Sequence, residues 1–168
     1  MSLRVERAET TIVLTLDRPH TRHALDADLA RRLAEAATEA AADETARAIV
    51  LTATGDESFV SGGDLNEIAK HVREGGGPGP VLEMYGPLSV LETGPLPVIV
   101  AIQGDAYGGG CELLLLGDMV FMESHASLAF RHSRMGLSPA WGGMTRLLER
   151  VGPLEAAHLL FTADKIGA

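Results

Sequence analysis

The sequence joins a run of glycines directly to a carboxylate. Residues Gly104 to Asp118 read GDAYGGGCELLLLGD, so that Glu112 follows three residues after Gly109, the middle glycine of the run. Residues three apart on a helix lie on the same face, so the Glu112 carboxylate is expected one turn from the Gly109 amide. The leucines that follow predict an apolar setting, which suits a carboxylate to proton transfer near neutral pH. The alternative is an ordinary exposed glutamate in a first helical turn, where the helix dipole favours it.

A second glycine-bearing junction, FVSGG, ends at Gly63 immediately before Asp64. The first N–H groups of a helix have no internal partner and carry positive character. Glycine lets another molecule approach such groups without a side chain in the way. One amide from each junction, at Gly63 and Gly109, would together form an oxyanion hole. Glycine at loop ends for purely steric reasons is the competing interpretation.

Both junctions require a strand before them and a helix after them, and the surrounding sequence provides these elements. Asp26 is expected to cap a helix that reaches about Ala42, and later helices are expected from Asp64, from Cys111, over Gly143 to Arg150 and over Pro153 to Phe161. Apolar runs predict strands at Thr11 to Asp17, Ala48 to Ala53, Pro97 to Ile102 and Met119 to Glu123.

The strands at Ala48 to Ala53 and Pro97 to Ile102 are expected to be buried on both faces. FVSGG and QGDAYGGG are then loops, and GGGPGP, from Gly75 to Pro80, is expected to be a mobile surface loop. The fold class is therefore α/β, built from repeated strand, loop and helix units.

Composition limits the classes of function. The chain has 168 residues, is 46% hydrophobic and carries a formal charge of -9, which fits a single domain over residues 1–168 and argues against binding to nucleic acid or anionic membranes. No run of about 18 apolar residues predicts a membrane span. The N-terminus, MSLRVERAE, lacks the apolar core of a signal peptide, and a single cysteine cannot form an internal disulfide. A cytoplasmic location is the expectation.

The chain resembles the crotonase superfamily of enoyl-CoA hydratases and isomerases over nearly its whole length. Four collinear blocks carry the resemblance: RPHTRHALDADL, IVLTATGDESFVSGGDLNEI, PVIVAIQGDAYGGGCELLLLGD and MGLSPAWGGMTRLLERVG. The resemblance implies a spiral of ββα units assembled as a homotrimer or a hexamer. It also implies acyl-CoA substrates, with coenzyme A as part of the substrate and no further cofactor, and stabilisation of a thioester enolate by two backbone amides.

Positions in the family pattern assign roles to residues of this chain. The two amides correspond to Gly63 and Gly109, and Glu112 corresponds to one of the two glutamates of the hydratases. Arg18 or Arg22 could meet a phosphate of coenzyme A, although a plain surface role is the competing interpretation. The coenzyme A part of the ligand is expected to lie against Ala24, Leu25, Ser61, Asp64 and Leu65.

The second hydratase glutamate is replaced in this chain. Hydratases carry it in a segment reading F-x-x-P-E, and counting without gaps places His132, within LAFRHSRMG, at that position. Hydration uses two carboxylates to hold one water, a geometry that a histidine does not reproduce, and the isomerases rely largely on the same missing glutamate.

Decarboxylation of a malonyl-type thioester is the alternative, because loss of CO2 itself generates the enolate. The reaction needs an oxyanion hole, a group that orients the departing carboxylate and a proton donor, and His132 with Glu112 could meet those needs. The run RHSRMGLSPAWGG is similar to the ethylmalonyl-CoA decarboxylase branch. A surface histidine between two arginines is the competing interpretation of His132.

Other residues are expected to have structural roles. Cys111 is interpreted as a small buried residue because nothing pairs it with a base. His20 and His23 lack a third ligand nearby, so no metal site is expected. Trp141 and Tyr85 could line an acyl pocket, and core packing explains them equally well.

The chain ends early relative to the family pattern. The resemblance implies further helices after LLFTADKIGA that cover the acyl pocket, so the C-terminal helical region is expected to be absent and the face where it docks to be apolar and exposed. A noncatalytic member that binds coenzyme A esters or only assembles therefore stays open. A serine hydrolase is disfavoured because no serine follows Gly109.

Overall fold

The computed structural model describes residues 2–76 and 83–168. Residues 77–80 of the expected surface loop Gly75 to Pro80 lie outside this range. The strands are β1 Leu3–Ala8, β2 Thr11–Leu16, β3 Ala48–Ala53, β4 Ser58–Val60, β5 Val98–Ile102, β6 Asp105–Tyr107, β7 Met119–Met122, β8 Ser127–Ala129 and β9 Ile166–Gly167. The helices are α1 Ala27–Ala42, α2 Leu65–Arg73, α3 Tyr85–Leu88, α4 Val90–Thr93, α5 Gly109–Leu114 and α6 Gly143–Thr162, with short 3-10 helices at Pro19–Thr21 and Arg131–Met135.

The described strands form two sheets that alternate along the chain. The first has the order β1-β2-β3-β5-β7 and is parallel except for the β1–β2 hairpin, and the second has the order β4-β6-β8-β9 with only β9 antiparallel. The chain passes from β3 to β4 and then to α2, and again from β5 to β6 and then to α5. This succession is the expected arrangement of ββα units.

Several expected elements are confirmed at their boundaries. The N-cap of α1 is Asp26, whose carboxylate accepts the Leu29 N–H at 2.8 Å. This bond satisfies one of the unpaired donors at the helix start. The two expected helices after residue 142 also occur, as the two halves of α6, because Gly152 (φ 79°, ψ 166°) interrupts the helical backbone between them.

The prediction that the two glycine-bearing segments are simple loops is wrong. Phe59 and Val60 belong to β4, and Asp105 to Tyr107 form β6. These strands have only three residues each, too few to show a two-residue alternation, and their stability comes from pairing with each other across the fold.

The prediction that β3 is buried on both faces is also wrong. Ile49, Leu51 and Ala53 are buried, whereas the residues between them are half-buried. Val98 and Val100 of β5 are paired with Ile49 and Leu51 and share the buried face. That face joins the core cluster, to which α1 contributes its apolar side. Residues on the opposite face, such as Val50 and Ile99, are half-buried.

Candidate active site

The two glycine junctions meet at one edge of the second sheet. Strands β4 and β6 are parallel neighbours, so the segments that follow them lie side by side. A Cβ atom on Gly109 would lie 3.4 Å from the amide nitrogen of Gly63, and one on Gly62 would lie 3.6 Å from the amide nitrogen of Gly109. The two amides assigned to the oxyanion hole are therefore adjacent.

Both amides are available to a ligand. Neither the Gly63 nor the Gly109 N–H donates to a backbone acceptor in the described ranges 2–76 and 83–168. Both residues are half-buried, so their N–H groups lie near the surface of the site. Two N–H groups without a backbone acceptor among the described residues can donate hydrogen bonds to an oxygen that develops negative charge.

The Trp141 indole packs against Gly109 on the side where a Cβ atom would lie. A Cβ on Gly109 would come within 2.9 Å of the ring atoms Cζ3 and Cη2 of Trp141, closer than a carbon contact allows. Trp141 is only 1% exposed and belongs to the core cluster. Glycine is required at position 109 because the indole occupies the space a side chain would need.

Glu112 is buried and held by backbone amides. Its side chain is 2% exposed, which excludes the exposed helical glutamate, although N–H donors rather than apolar groups surround the carboxylate. Oε2 accepts the N–H of Trp141 at 2.7 Å and that of Gly143 at 3.1 Å, and Oε1 accepts the N–H of Ala140 at 3.1 Å. Hydrogen bonds from three amides fix the position of both carboxylate oxygens.

His132 lies against the same carboxylate. Its Nε2 is 3.0 Å from Glu112 Oε1, and its side chain is 8% exposed, so the surface interpretation is wrong. A carboxylate oxygen accepts, which assigns the shared hydrogen to Nε2. His132 Nδ1 is buried without a partner among the described residues. A Cβ on Gly108 would lie 3.9 Å from Nε2, which places the pair next to the glycine run.

The turn at Ala140 to Gly143 was missed as part of the site. It supplies all three backbone donors to Glu112, and a Cβ on Gly143 would lie 2.7 Å from Oε2. The glycine pair before a helix start was the available signal, since it repeats the pattern that identified Gly63 and Gly109. The carboxylate thus sits at the N-terminal end of α6, where unpaired donors favour an anion.

The residues expected to contact coenzyme A differ in their solvent exposure. Leu25 is fully buried, with its N–H bonded to Gly62 O at 2.8 Å and its carbonyl accepting from Asp64 N–H at 2.7 Å. Ala24 is buried and Ser61 half-buried, whereas the Leu65 side chain is 59% exposed. Among these residues, Leu65 presents the most open apolar surface, and Leu25 holds the Gly62–Asp64 segment that carries the Gly63 amide.

Arg18 has an internal role. Its guanidinium lies 2.6 Å from Asp26 and 3.4 Å from Asp64, and it donates to the Ala24 carbonyl at 2.8 Å. These contacts tie together the N-terminal caps of α1 and α2. Arg22 is exposed, with a left-handed backbone (φ 51°).

The other reactive side chains are occupied or inert. His23 is buried with Nδ1 accepting from Arg18 N–H at 3.0 Å and Nε2 donating to Thr54 O at 3.1 Å, and burial lowers its pKa. His20 is exposed. Burial raises the pKa of the Cys111 thiol to about 12, which confirms its structural interpretation. Within residues 2–76 and 83–168, no three His, Cys, Asp or Glu side chains are grouped to hold a metal ion.

Comparison with known proteins identifies the family. A sequence model described as enoyl-CoA hydratase/isomerase matches residues 6–168. The chain belongs to this family, within the crotonase superfamily. It is 35% identical to a crotonyl-CoA hydratase from Syntrophomonas wolfei, covering 98% of this chain and 63% of that protein. It is 39% identical to a probable enoyl-CoA hydratase from Rhodobacter capsulatus, covering 99% and 63% respectively.

Solved structures of family members match the fold. An enoyl-CoA hydratase from Bacillus anthracis superposes with a TM-score of 0.91 at 29% identity, over 100% of this chain and 65% of that one. One from Polaromonas gives a TM-score of 0.91 at 30% identity, over 99% and 65%. The crotonase-like α/β fold is thereby confirmed, and the chain spans about 63% of the length of the curated relatives it matches. In the described parts of the chain, every helix is too short or too polar to span a bilayer.

Proposed function

We propose that this chain acts on acyl-CoA thioesters and stabilises the thioester enolate with the amides of Gly63 and Gly109. The observation that supports this most strongly is that two amides without a backbone acceptor in the described parts of the chain lie next to a buried Glu112–His132 pair. A thioester oxygen gains negative charge when its α-carbon becomes carbanion-like, and each fixed amide lowers the energy of that state by about 3–4 kcal/mol. Amides do so without a buried cation, so the site needs no metal for this step.

Coenzyme A is proposed to enter as part of the substrate. The segment Ala24–Leu25 and the segment Ser61–Leu65 lie together because Leu25 is hydrogen-bonded to Gly62 and Asp64. A ligand with its thioester at Gly63 would run along this pair of segments toward Leu65, which offers an exposed apolar side chain. Saturation binding of a nonhydrolysable acyl-CoA analogue tests this placement, and Leu65→Ala is expected to weaken it.

Decarboxylation of a malonyl-type thioester is the second candidate, and the pairing of His132 with Glu112 favours it. The bond from the α-carbon to the carboxylate breaks, CO2 leaves, and the electron pair passes into the enolate held by the two amides. The His132–Glu112 pair, carrying one proton in addition to the shared Nε2–H, then transfers that extra proton to the α-carbon, and solvent returns a proton to the pair. Hydration instead requires two carboxylates around one water, whereas the described site holds one.

One substrate panel separates these reactions. Crotonyl-CoA hydration is compared with decarboxylation of ethylmalonyl-CoA and methylmalonyl-CoA, using the wild-type chain, Glu112→Gln, His132→Ala and the exposed-site control His158→Ala. We expect both site variants to lose turnover and the control to keep it. Unchanged rates in both site variants would refute the proposed roles.

Tight analogue binding with no turnover of any substrate would instead support a noncatalytic member that binds coenzyme A esters. We also propose a cytoplasmic location and assembly as a homotrimer or hexamer, the latter to be tested by mass measurement in solution.

A further inference from the structure

A buried arginine lies behind the turn that holds Glu112. Arg146 is 7% exposed and projects from the first half of α6. Its Nη1 donates to the Trp141 carbonyl at 2.5 Å, its Nε to Glu92 Oε1 at 2.7 Å and its Nη2 to the Tyr85 hydroxyl at 2.9 Å, and Nη2 also contacts Glu92 Oε2. The guanidinium also lies over the Tyr85 ring, 5.3 Å from its centroid. Every nitrogen of the guanidinium therefore has a partner within the fold.

Residue 141 connects this arginine to the carboxylate. The Trp141 carbonyl accepts from Arg146, while its N–H donates to Glu112 Oε2 at 2.7 Å. The glycine pair allows both approaches, because a Cβ on Gly142 would lie 2.6 Å from Arg146 Nη1 and one on Gly143 would lie 2.7 Å from Glu112 Oε2. The turn is thus held between a guanidinium on one side and a carboxylate on the other.

We infer that Arg146 is a positioning residue for the Glu112–His132 pair, acting through the turn at Ala140 to Gly143. The inference rests on the proposed proton-transfer role of that pair. Without the guanidinium, the Trp141 carbonyl loses its donor and the turn loses its link to Glu92 on α4, so the three amides that fix Glu112 are free to shift. Small displacements of positioned groups are sufficient to slow a reaction by about 10- to 100-fold.

The test compares two arginines of the same helix. Arg146→Met removes the guanidinium and keeps a similar side-chain length. Arg150→Met is the control, because Arg150 donates to the Leu115 carbonyl at 3.3 Å and contacts the Gly117 carbonyl without touching the turn. Both variants should lose some stability, so measurements are made where circular dichroism shows each to be folded. Arg146→Lys, which keeps the positive charge beside Glu92, serves if Arg146→Met does not fold.

Two measurements distinguish a positioning role of Arg146 from a purely structural one. Arg146→Met should lower kcat by about 10- to 100-fold with little change in KM, and it should move the His132 Nε2–H resonance in a nitrogen-resolved NMR spectrum, with the peak assigned from a His132→Gln sample. Arg150→Met should do neither. An Arg146 variant with the kcat and the His132 resonance of the Arg150 variant would overturn the inference. If the wild-type chain turns over no acyl-CoA, the proposed function fails, whereas the NMR comparison still decides the role of Arg146.

Discussion

Replacing Glu112 by glutamine removes an acceptor where four groups donate. The donors are the N–H groups of Ala140, Trp141 and Gly143 and the Nε2–H of His132. If the new NH2 group replaces Oε2, it faces two backbone N–H groups that cannot accept. If it replaces Oε1, Ala140 loses its acceptor, and His132 can accept only by moving its proton to Nδ1, which has no described partner. Either orientation leaves at least two donors unpaired.

The expected loss of stability follows from this count. An unpaired buried donor costs about 1–3 kcal/mol, so two cost about 2–6 kcal/mol. Ala140 is only half-buried, so water can reach its amide, and the orientation that exposes it is favoured. We therefore expect a decrease of about 3 kcal/mol in the free energy of unfolding, a large part of the 5–15 kcal/mol typical of a domain. At a urea dependence of about 2 kcal/mol/M, the midpoint falls by about 1.5 M.

Urea unfolding followed by tryptophan fluorescence measures this loss directly. Trp141 is the single tryptophan of the chain and is buried beside the site. Glu123→Gln is the matched control at an exposed position and should stay within about 0.5 kcal/mol of wild type. A Glu112→Gln protein as stable as this control would refute the hydrogen-bond count, even if its turnover were lost.

Three further predictions concern other parts of the structure. Gly109→Ala should lower kcat by about 100-fold or more, because its methyl group would displace the Trp141 ring and crowd the Gly63 amide. Gly86→Ala, in open space, is the control, and equal rates would contradict the oxyanion role. Hydrogen bonds from Ser127, Tyr107 and Lys165 lower the pKa of Asp105 to about 2. The ionised Asp105 therefore stabilises the fold above its unfolded pKa, and this contribution is lost as pH falls toward 2. The stability gap between wild type and Asp105→Asn should therefore be widest at neutral pH and close between about pH 4 and pH 2 in acid unfolding curves; a constant gap would contradict this. Cys111 should react with an alkylating reagent only as fast as the chain unfolds, and rapid labelling of native protein would show that its burial is wrong.

The sequence predicted the elements whose signals are local. The cap at Asp26, the apolar run of β3 and the division into helices over Gly143 to Arg150 and Pro153 to Phe161 each depend on a few neighbouring residues, and each occurs as expected. Strands β4 and β6 were read as loops because three residues carry no periodic signal and their pairing joins segments far apart in the chain.

Only the glycines and the charged groups of the site could be predicted from the sequence. Glu112 and His132 were found from the glycine run and the family pattern, and the structure brings them together. The backbone donors that hold Glu112 lie 28 to 31 residues away in sequence, and Arg146 meets Glu92 across 54 residues. Such contacts depend on how α4, α5 and α6 pack, and composition or spacing does not specify that packing.

The exchange of a second carboxylate for His132 changes the charge that the site presents to a substrate. If the proposed malonyl-type thioester binds with its carboxylate near Glu112, two like charges at about 4 Å would repel by about 4 kcal/mol at an effective dielectric constant of about 20. A second glutamate at position 132 would add to this repulsion. His132 instead turns an N–H toward Glu112, so it adds no negative charge and engages the one already present. The same substitution that removes the two-carboxylate geometry needed for hydration therefore makes the site more compatible with an anionic acyl group, which is the physical reason for including malonyl-type substrates in the first assay.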